Sequence, residues 1–152
     1  MKTWMETVEA CGSEFFHGSP ILFKKGTIIT PQIEGSFNAD PELEEFLEAH
    51  RPSDAISRYD AVSMVINTTR DVGACGGCMD YIYEVIPIGE ITHCNMYWYF
   101  KLQTERKFLK ELAINYWEAL PGDEDLNEYL SQSAKVIGVI EKNVKLKKMV
   151  QK

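Results

Sequence analysis

The feature of this sequence that most constrains its fold is a series of short runs rich in β-branched and aromatic residues, several of them closed by glycine or proline. The first run, EFFHGS, ends at Gly18-Ser19 and is followed by Pro20. The second, GTIITP, is closed by Pro31. Such punctuation is typical of strands that end in turns. The two runs therefore predict two short strands early in the chain.

Four further runs have β character. DAVSMVIN is apolar with little polar alternation, which predicts a buried strand. DYIYEVIPIGEI is the clearest strand in the chain, because its residues alternate between two faces and are mostly β-branched or aromatic. NMYWYFKL predicts another aromatic strand, and AKVIGVIEKNVKL predicts a last strand with charged ends.

Two helices are also indicated. In GSFNADPELEEFLEAHRP, a loop leads to a short helix with Asp40 as its cap, Pro41 at its first position and Pro52 beyond its end. Between Thr104 and Ala119, apolar residues recur at steps of one, three and four, which is helical spacing. The sum is an α+β domain with a mixed or antiparallel sheet and two or three helices.

Three segments are less clearly patterned. TWMETVEAC predicts a short helix or strand that leads into the domain. The glycines of TTRDVGACGGCM favour a loop or a very short helix, and DEDLNEYLSQS reads as a polar turn or a short helix.

Length and composition bound the class of protein. The 152 residues suit a single domain, here taken as 1–152, and 45% hydrophobic with 26% charged residues is typical of a soluble globular protein. The net charge of -7 argues against nucleic-acid binding, because phosphate contacts need lysine and arginine on the binding face.

No apolar run approaches the roughly 20 residues that a membrane span needs, so no membrane partner is expected. The N-terminal residues include acids where a secretion signal would be apolar. We therefore predict a cytoplasmic protein whose four cysteines are reduced.

The CGGC segment offers a C-x-x-C spacing at Cys75 and Cys78, which suits a zinc site or a redox pair. His93 and Cys94 are the nearby candidates for further zinc ligands, but adjacent residues of a strand point to opposite faces. A zinc site, a redox pair and a flexible glycine-rich loop with incidental cysteines all stay open at this point.

The order of FFHGSP, GTIITP, SRYDAVSMV and IYEVIPIG resembles the ADP-ribosyltransferase superfamily. The likeness is to small bacterial and phage members of the branch that includes the rifampin ADP-ribosyltransferases and the diphtheria-toxin-like enzymes. It extends from Phe15 to Gly89 and more loosely into the C-terminal part, and its weight comes from order and spacing. It implies a split β-sheet, NAD as the substrate that donates ADP-ribose, and an NAD site.

The resemblance implies roles for the HGS motif. His17 bonds a ribose hydroxyl, Gly18 pairs through its backbone with the nicotinamide amide, and Ser19 helps to position the ribose or a phosphate. A glycine suits this place because it has no Cβ to block close approach of the ligand.

The family's next motif is an aromatic residue that stacks on nicotinamide, and here the sequence departs from it. Ser63 stands about where many relatives carry phenylalanine or tyrosine. The nearest aromatic is Tyr59, with Tyr81 and Tyr83 as further candidates. Arg58 either reaches the pyrophosphate of NAD or pairs with an acidic residue, and both interpretations stay open.

The family's last motif is an acid that stabilises the positive charge on ribose as nicotinamide leaves. Glu128 falls near that position, just before the last predicted strand, and Asp125 is the second choice. The resemblance thus implies His17 and Glu128 as catalytic residues. For either acid, a solvated position on a polar turn is the alternative.

Three functions follow from these patterns. The first is an NAD-dependent ADP-ribosyltransferase whose acceptor is a protein, a nucleic acid or a small molecule. The second is a catalytically inactive protein of the same fold, of phage origin, that binds a basic partner through acids such as those of ELEEFLE. The third is a small zinc protein built on Cys75, Cys78 and Cys94.

Overall fold

The computed structural model describes residues 15–31, 40–66, 70–75 and 77–142. These residues form seven strands, four α-helices and a 3-10 helix at Arg58–Asp60. The strands are β1 Phe15–Ser19, β2 Ile28–Ile29, β3 Val62–Ile66, β4 Tyr81–Ile88, β5 Thr92–Asn95, β6 Asn127–Ser131 and β7 Ser133–Lys142. The α-helices are α1 Pro41–Ala49, α2 Arg70–Ala74, α3 Met96–Glu105 and α4 Lys110–Trp117.

The strands join in one curled sheet with the order β2-β7-β4-β1-β3-β6-β5, and every neighbouring pair is antiparallel. The α+β class and the antiparallel sheet are therefore confirmed. Two or three helices were predicted, but the described part of the chain contains four α-helices. The predicted element over TWMETVEAC lies outside the described residues.

Each face of the sheet buries an apolar cluster, as alternation along the strands requires. Helices α1, α3 and α4 cover one face, where they pack against Val65, Ile82 and Leu130. The other face packs against itself and the β1–β2 connection, around Tyr83 and Val136. The centre of the sheet is thus closed on both sides.

The first predicted helix is confirmed as α1. The Asp40 carboxylate accepts a hydrogen bond from the Leu43 backbone N–H at 3.3 Å, and Pro41 occupies the first turn. Leu43 and Leu47 point into the core. Glu44 is buried beside them, which a solvated acidic face would not predict.

The prediction of a strand over NMYWYFKL was wrong, because residues from Met96 onward form helix α3. The Asn95 side chain caps this helix by accepting from the Tyr97 backbone N–H at 3.0 Å. Met96, Tyr99 and Leu102 are buried at helical spacing. The aromatic composition of the run suggested a strand, but the cap and the period of three favour a helix.

The helix predicted over Thr104–Ala119 is confirmed over Lys110–Trp117 as α4, but its predicted start was wrong. Helix α3 ends where Arg106 adopts a left-handed conformation with φ of 55°, and α4 starts at Lys110. The Arg106 guanidinium pairs with Asp40 and Glu42 beyond α3. These contacts hold the turn between the two helices against the start of α1.

Two of the less clearly patterned segments are resolved as elements. The TTRDVGACGGCM segment contains the short helix α2, in agreement with one of its two interpretations. DEDLNEYLSQS contains strand β6 rather than a turn or helix. The last strand is confirmed as β7, which runs to Lys142. In the described part of the chain, every helix is too short or too polar to cross a membrane.

Candidate functional site

Ser63 of β3 and Glu128 of β6 meet toward the β5 edge of the sheet, on the face that the helices cover. Ser63 of β3 lies opposite Leu130 of β6, so the side chains of Ser63, Leu130 and Glu128 share one face. The Ser63 hydroxyl donates a hydrogen bond to Glu128 Oε2 at 2.8 Å. The sequence predicted both residues as part of a site, and the fold brings them into contact.

The second oxygen of Glu128 accepts two further hydrogen bonds. Arg58 Nη1 donates to Oε1 at 2.6 Å, and the Tyr116 hydroxyl donates to the same oxygen at 3.0 Å. Arg58 Nη1 also donates to the Tyr116 hydroxyl at 2.6 Å. Both oxygens of the carboxylate are therefore held in fixed directions.

Arg58 is shared between two buried carboxylates, because its Nε donates to Glu44 Oε1 at 2.7 Å. The side chains of Arg58, Glu44 and Glu128 are 10%, 2% and 3% exposed. We call Arg58, Glu44, Ser63, Tyr116 and Glu128 the Glu128 cluster. Of the two roles left open for Arg58, the structure shows pairing with acids.

Aromatic rings flank the guanidinium of Arg58. Its Cζ lies 4.8 Å from the centre of the Tyr99 ring and 5.6 Å from that of Tyr116. Cations are attracted to the faces of aromatic rings, most strongly where water is excluded. The rings thus stabilise a charge that burial alone would disfavour.

Burial sets the protonation of the cluster. It raises the pKa of Tyr116 well above its ordinary value, although nearby Arg58 acts in the opposite direction. Burial lowers the pKa of Arg58, but the acidic groups of Tyr116, Glu128 and Glu44 outweigh this and leave it raised. The Tyr116 hydroxyl therefore stays protonated and donates a hydrogen bond to Glu128, and Arg58 stays cationic.

His17 is buried on β1 and contacts Ser63 through the backbone. Its Nδ1 lies 2.6 Å from the Ser63 carbonyl oxygen, which can only accept, so Nδ1 carries a proton. Alternation along β1 places His17 with Phe15 and Ser19, on the face opposite the side chains of Ser63 and Glu128. His17 thus supports the β3 backbone from behind the Glu128 cluster.

Ser19 and Tyr83 hold the turn that follows β1. The buried Ser19 hydroxyl accepts from the Ile21 backbone N–H at 3.2 Å. The Tyr83 hydroxyl accepts from the Phe23 N–H at 2.7 Å and donates to the Ile21 carbonyl at 2.8 Å. Tyr81, opposite Ser19 on β4, packs beside Tyr83.

The other candidates from the sequence lie apart from the Glu128 cluster. Tyr59 follows Arg58 on the 3-10 helix, but its side chain is 47% exposed. Asp125, the second choice of catalytic acid, is exposed in the connection before β6. The structure therefore favours Glu128 over Asp125, and it places no tyrosine of the predicted set over Gly18.

Gly18 lies beneath a segment of its own chain. A Cβ at this position would be 1.9 Å from the Cys78 carbonyl oxygen and 2.5 Å from Val72 Cγ1. A small cavity of about 60 Å³ remains beside it, lined by residues that include Phe16, Ser63, Cys75 and Gly77. Sites for small molecules usually enclose roughly 300–1,000 Å³. The cavity therefore holds no nucleotide in this conformation.

The three cysteines among the described residues, Cys75, Cys78 and Cys94, are buried or half-buried thiols. Burial, with a smaller effect from Glu128, raises the pKa of the Cys75 thiol to about 12. Cys94 is buried, whereas adjacent His93 is exposed and stacks on Tyr129, with 4.5 Å between the centres of the two rings. Within residues 15–31, 40–66, 70–75 and 77–142, no three histidine, cysteine or acidic side chains are grouped to hold a metal ion.

Sequence reasoning missed Glu44 and Tyr116 as members of the cluster. Glu44 is one of several acids in ELEEFLE, but it falls in the same stripe of α1 as Leu43 and Leu47. An acid inside an apolar stripe is a signal for a buried partner. Tyr116 continues the apolar spacing of its helix, and nothing in that spacing indicates what its hydroxyl binds.

The sequence matches no known protein-family model, and no curated protein gives a significant match.

Proposed function

We propose that this protein is a cytoplasmic ADP-ribosyltransferase that binds NAD and transfers its ADP-ribose to an acceptor. The observation that supports the proposal best is the contact between Ser63 and Glu128 at 2.8 Å, on the face that Gly18 shares. Three residues selected for an NAD site from separate parts of the sequence thus lie on neighbouring strands β1, β3 and β6. An ADP-ribosyltransferase-like arrangement of the sheet is part of this proposal.

The reaction breaks the bond between ribose C1′ and the nicotinamide nitrogen, and nicotinamide leaves with the electron pair. The ribose then carries oxocarbenium character, which a nearby carboxylate stabilises. A nucleophilic oxygen or nitrogen of the acceptor forms a bond to C1′ and loses its proton to solvent or to a carboxylate. Glu128 is assigned the stabilising role, and its hydrogen bonds from Ser63, Arg58 and Tyr116 fix its orientation.

In this proposal Arg58 and Tyr116 are positioning residues. The side chains of His17 and Ser19 lie on the face of the sheet opposite Glu128, so the predicted contacts of His17 with ribose and of Ser19 with ribose or phosphate are not part of this proposal. Stacking of nicotinamide on exposed Tyr59 stays a prediction, whereas Tyr81 and Tyr83 pack in the apolar cluster on the other face of the sheet. The acceptor is a protein, a nucleic acid or a small molecule, and the acidic net charge of -7 disfavours a nucleic acid.

The experiment is an assay of NAD hydrolysis and of labelled ADP-ribose transfer with the wild type and matched variants. Glu128→Gln removes the charge with little change in shape and is expected to lower turnover about 10²–10³-fold, as loss of an electrostatic stabiliser does. Asp125→Asn makes the same chemical change at an exposed site and should leave turnover unchanged. No heat of binding with NAD at millimolar concentration would overturn the proposal.

A second function is favoured by the covering of Gly18, which leaves no room for NAD in this conformation. In this alternative, the protein is an inactive member of the same fold that binds a basic partner through exposed acids of α1. Binding of a Lys/Arg-rich peptide that survives Glu128→Ala and His17→Ala, but is lost in Glu42→Gln/Glu45→Gln, would support it. Binding indifferent to the α1 acids would exclude it.

A further inference from the structure

The segment that follows β3 covers the face of Gly18 on which the proposed function places nicotinamide. We call residues 70–75 and 77–79 the strap. Its Cys78 carbonyl oxygen and Val72 side chain occupy the space directly above Gly18. The strap also folds closely on itself, because the Gly77 N–H donates to the Val72 carbonyl at 2.7 Å.

Two side chains hold the strap on the sheet. Val72 and Cys75 are both buried, and they join the apolar cluster beneath the helices. The Cys75 thiol approaches the Asn127 carbonyl of β6 at 3.7 Å, one residue before Glu128. The strap therefore spans from Gly18 on β1 toward the end of β6 that carries Glu128.

The remaining space beneath the strap leads toward the same residues. The cavity of about 60 Å³ touches Gly18 and Ser63 on the sheet and Val72, Cys75 and Gly77 on the strap. Removing the strap would join the volumes of Val72 and Cys75 to this cavity. The enlarged space would be bounded by Gly18 and Ser63 and would extend toward Glu128.

We propose that the strap is an autoinhibitory plug, and that NAD enters only when Val72, Cys75 and Cys78 move away from Gly18. The inference rests on the proposed function, since it concerns access to the same site. It predicts that the open form is a minor state, so the apparent affinity for NAD is lowered by the fraction of chains that are open. A change that loosens the strap without touching Gly18, Ser63 or Glu128 should therefore tighten NAD binding.

Site-resolved labelling with N-ethylmaleimide, read by peptide mass spectrometry, tests the movement in the native chain. In the closed form the strap buries Cys75, so N-ethylmaleimide labels this thiol slowly. Saturating NAD favours the open form and is therefore expected to accelerate the labelling of Cys75 about tenfold. Cys94, buried on β5 and outside the strap, is the internal control and should label slowly with and without NAD. NAD binding with no acceleration at Cys75 would overturn the plug and leave the proposed function standing.

Calorimetric titration with NAD provides the second arm. Val72→Ala removes an anchor of the strap and is expected to lower the apparent Kd for NAD about tenfold. Val62→Ala is the matched control, because Val62 is equally buried but lies on the other face of the sheet, and its Kd should equal that of the wild type. Absence of NAD binding in the wild type at millimolar concentration would refute the proposed function together with the plug. If Val72→Ala does not fold, or if the two arms disagree, the labelling of wild-type Cys75 decides.

Discussion

Replacing Arg58, the cation of the Glu128 cluster, should remove a large part of this protein's free energy of unfolding. Arg58→Met keeps an unbranched side chain but leaves Glu44 and Glu128 buried without their shared partner. Loss of one member of a buried ion pair typically costs roughly 3–5 kcal/mol. The total stability of a domain is only about 5–15 kcal/mol. For a chain of this size, the expected fall in Tm is about 6–20 °C.

The measurement is urea unfolding followed by the fluorescence of the tryptophans, with Arg106→Met as the matched control. Arg106 also bridges two carboxylates, but its side chain is 43% exposed, so its loss should cost less than about 1 kcal/mol. The triple variant Glu44→Gln/Arg58→Met/Glu128→Gln should regain most of the loss, since it leaves no unpaired charge. Equal effects of Arg58→Met and Arg106→Met would refute the reasoning.

Three further predictions concern single groups. Because the pKa of its thiol is raised to about 12, Cys75 should stay unmodified by iodoacetamide at pH 8, while partly exposed Cys78 reacts. Peptide mass spectrometry measures both reactions, and equal rates of modification at the two cysteines would contradict the prediction. The Leu43 N–H and then Arg106 lower the pKa of Asp40, so its contribution to stability is complete above the unfolded pKa of about 3.9 and is lost as the pH falls through the folded pKa. Asp40→Asn should therefore reduce the fall in Tm as the pH is lowered below about 4. A fall in Tm equal to that of the wild type would refute this. Tyr116→Phe deletes one hydrogen-bond donor to Glu128 and should lower the free energy of unfolding in urea by about 1 kcal/mol. The matched control is Tyr97→Phe: the Tyr97 hydroxyl donates to exposed Asp123, so its loss should cost less.

The strands of the first half could be predicted because local chemistry specifies them. The apolar run at β3 and the alternation at β4 are properties of consecutive residues, and so are the cap and proline at the start of α1. Helix α3 was missed because aromatic residues are enriched in strands. Only the Asn95 cap and the burial of every third residue distinguish a helix from a strand here, and burial depends on the rest of the fold.

The candidate site was predictable only in part. Ser63 and Glu128 could be selected from their positions in the order of motifs, and they are in contact. The pairing of Arg58 with Glu44 joins residues 14 apart in sequence through the packing of α1 on the sheet, which no local pattern contains. The covering of Gly18 by Cys78 likewise depends on how the connection after β3 folds back. Long-range contacts of this kind decide which atoms a ligand can reach.

The most direct test of the central claim is a crystal structure of the protein grown or soaked with NAD at millimolar concentration. The account predicts the nicotinamide beside the Gly18 backbone, the ribose next to Glu128, and the strap displaced from the position seen here. Absence of nucleotide density, or a nucleotide bound away from Gly18 and Glu128, would contradict it.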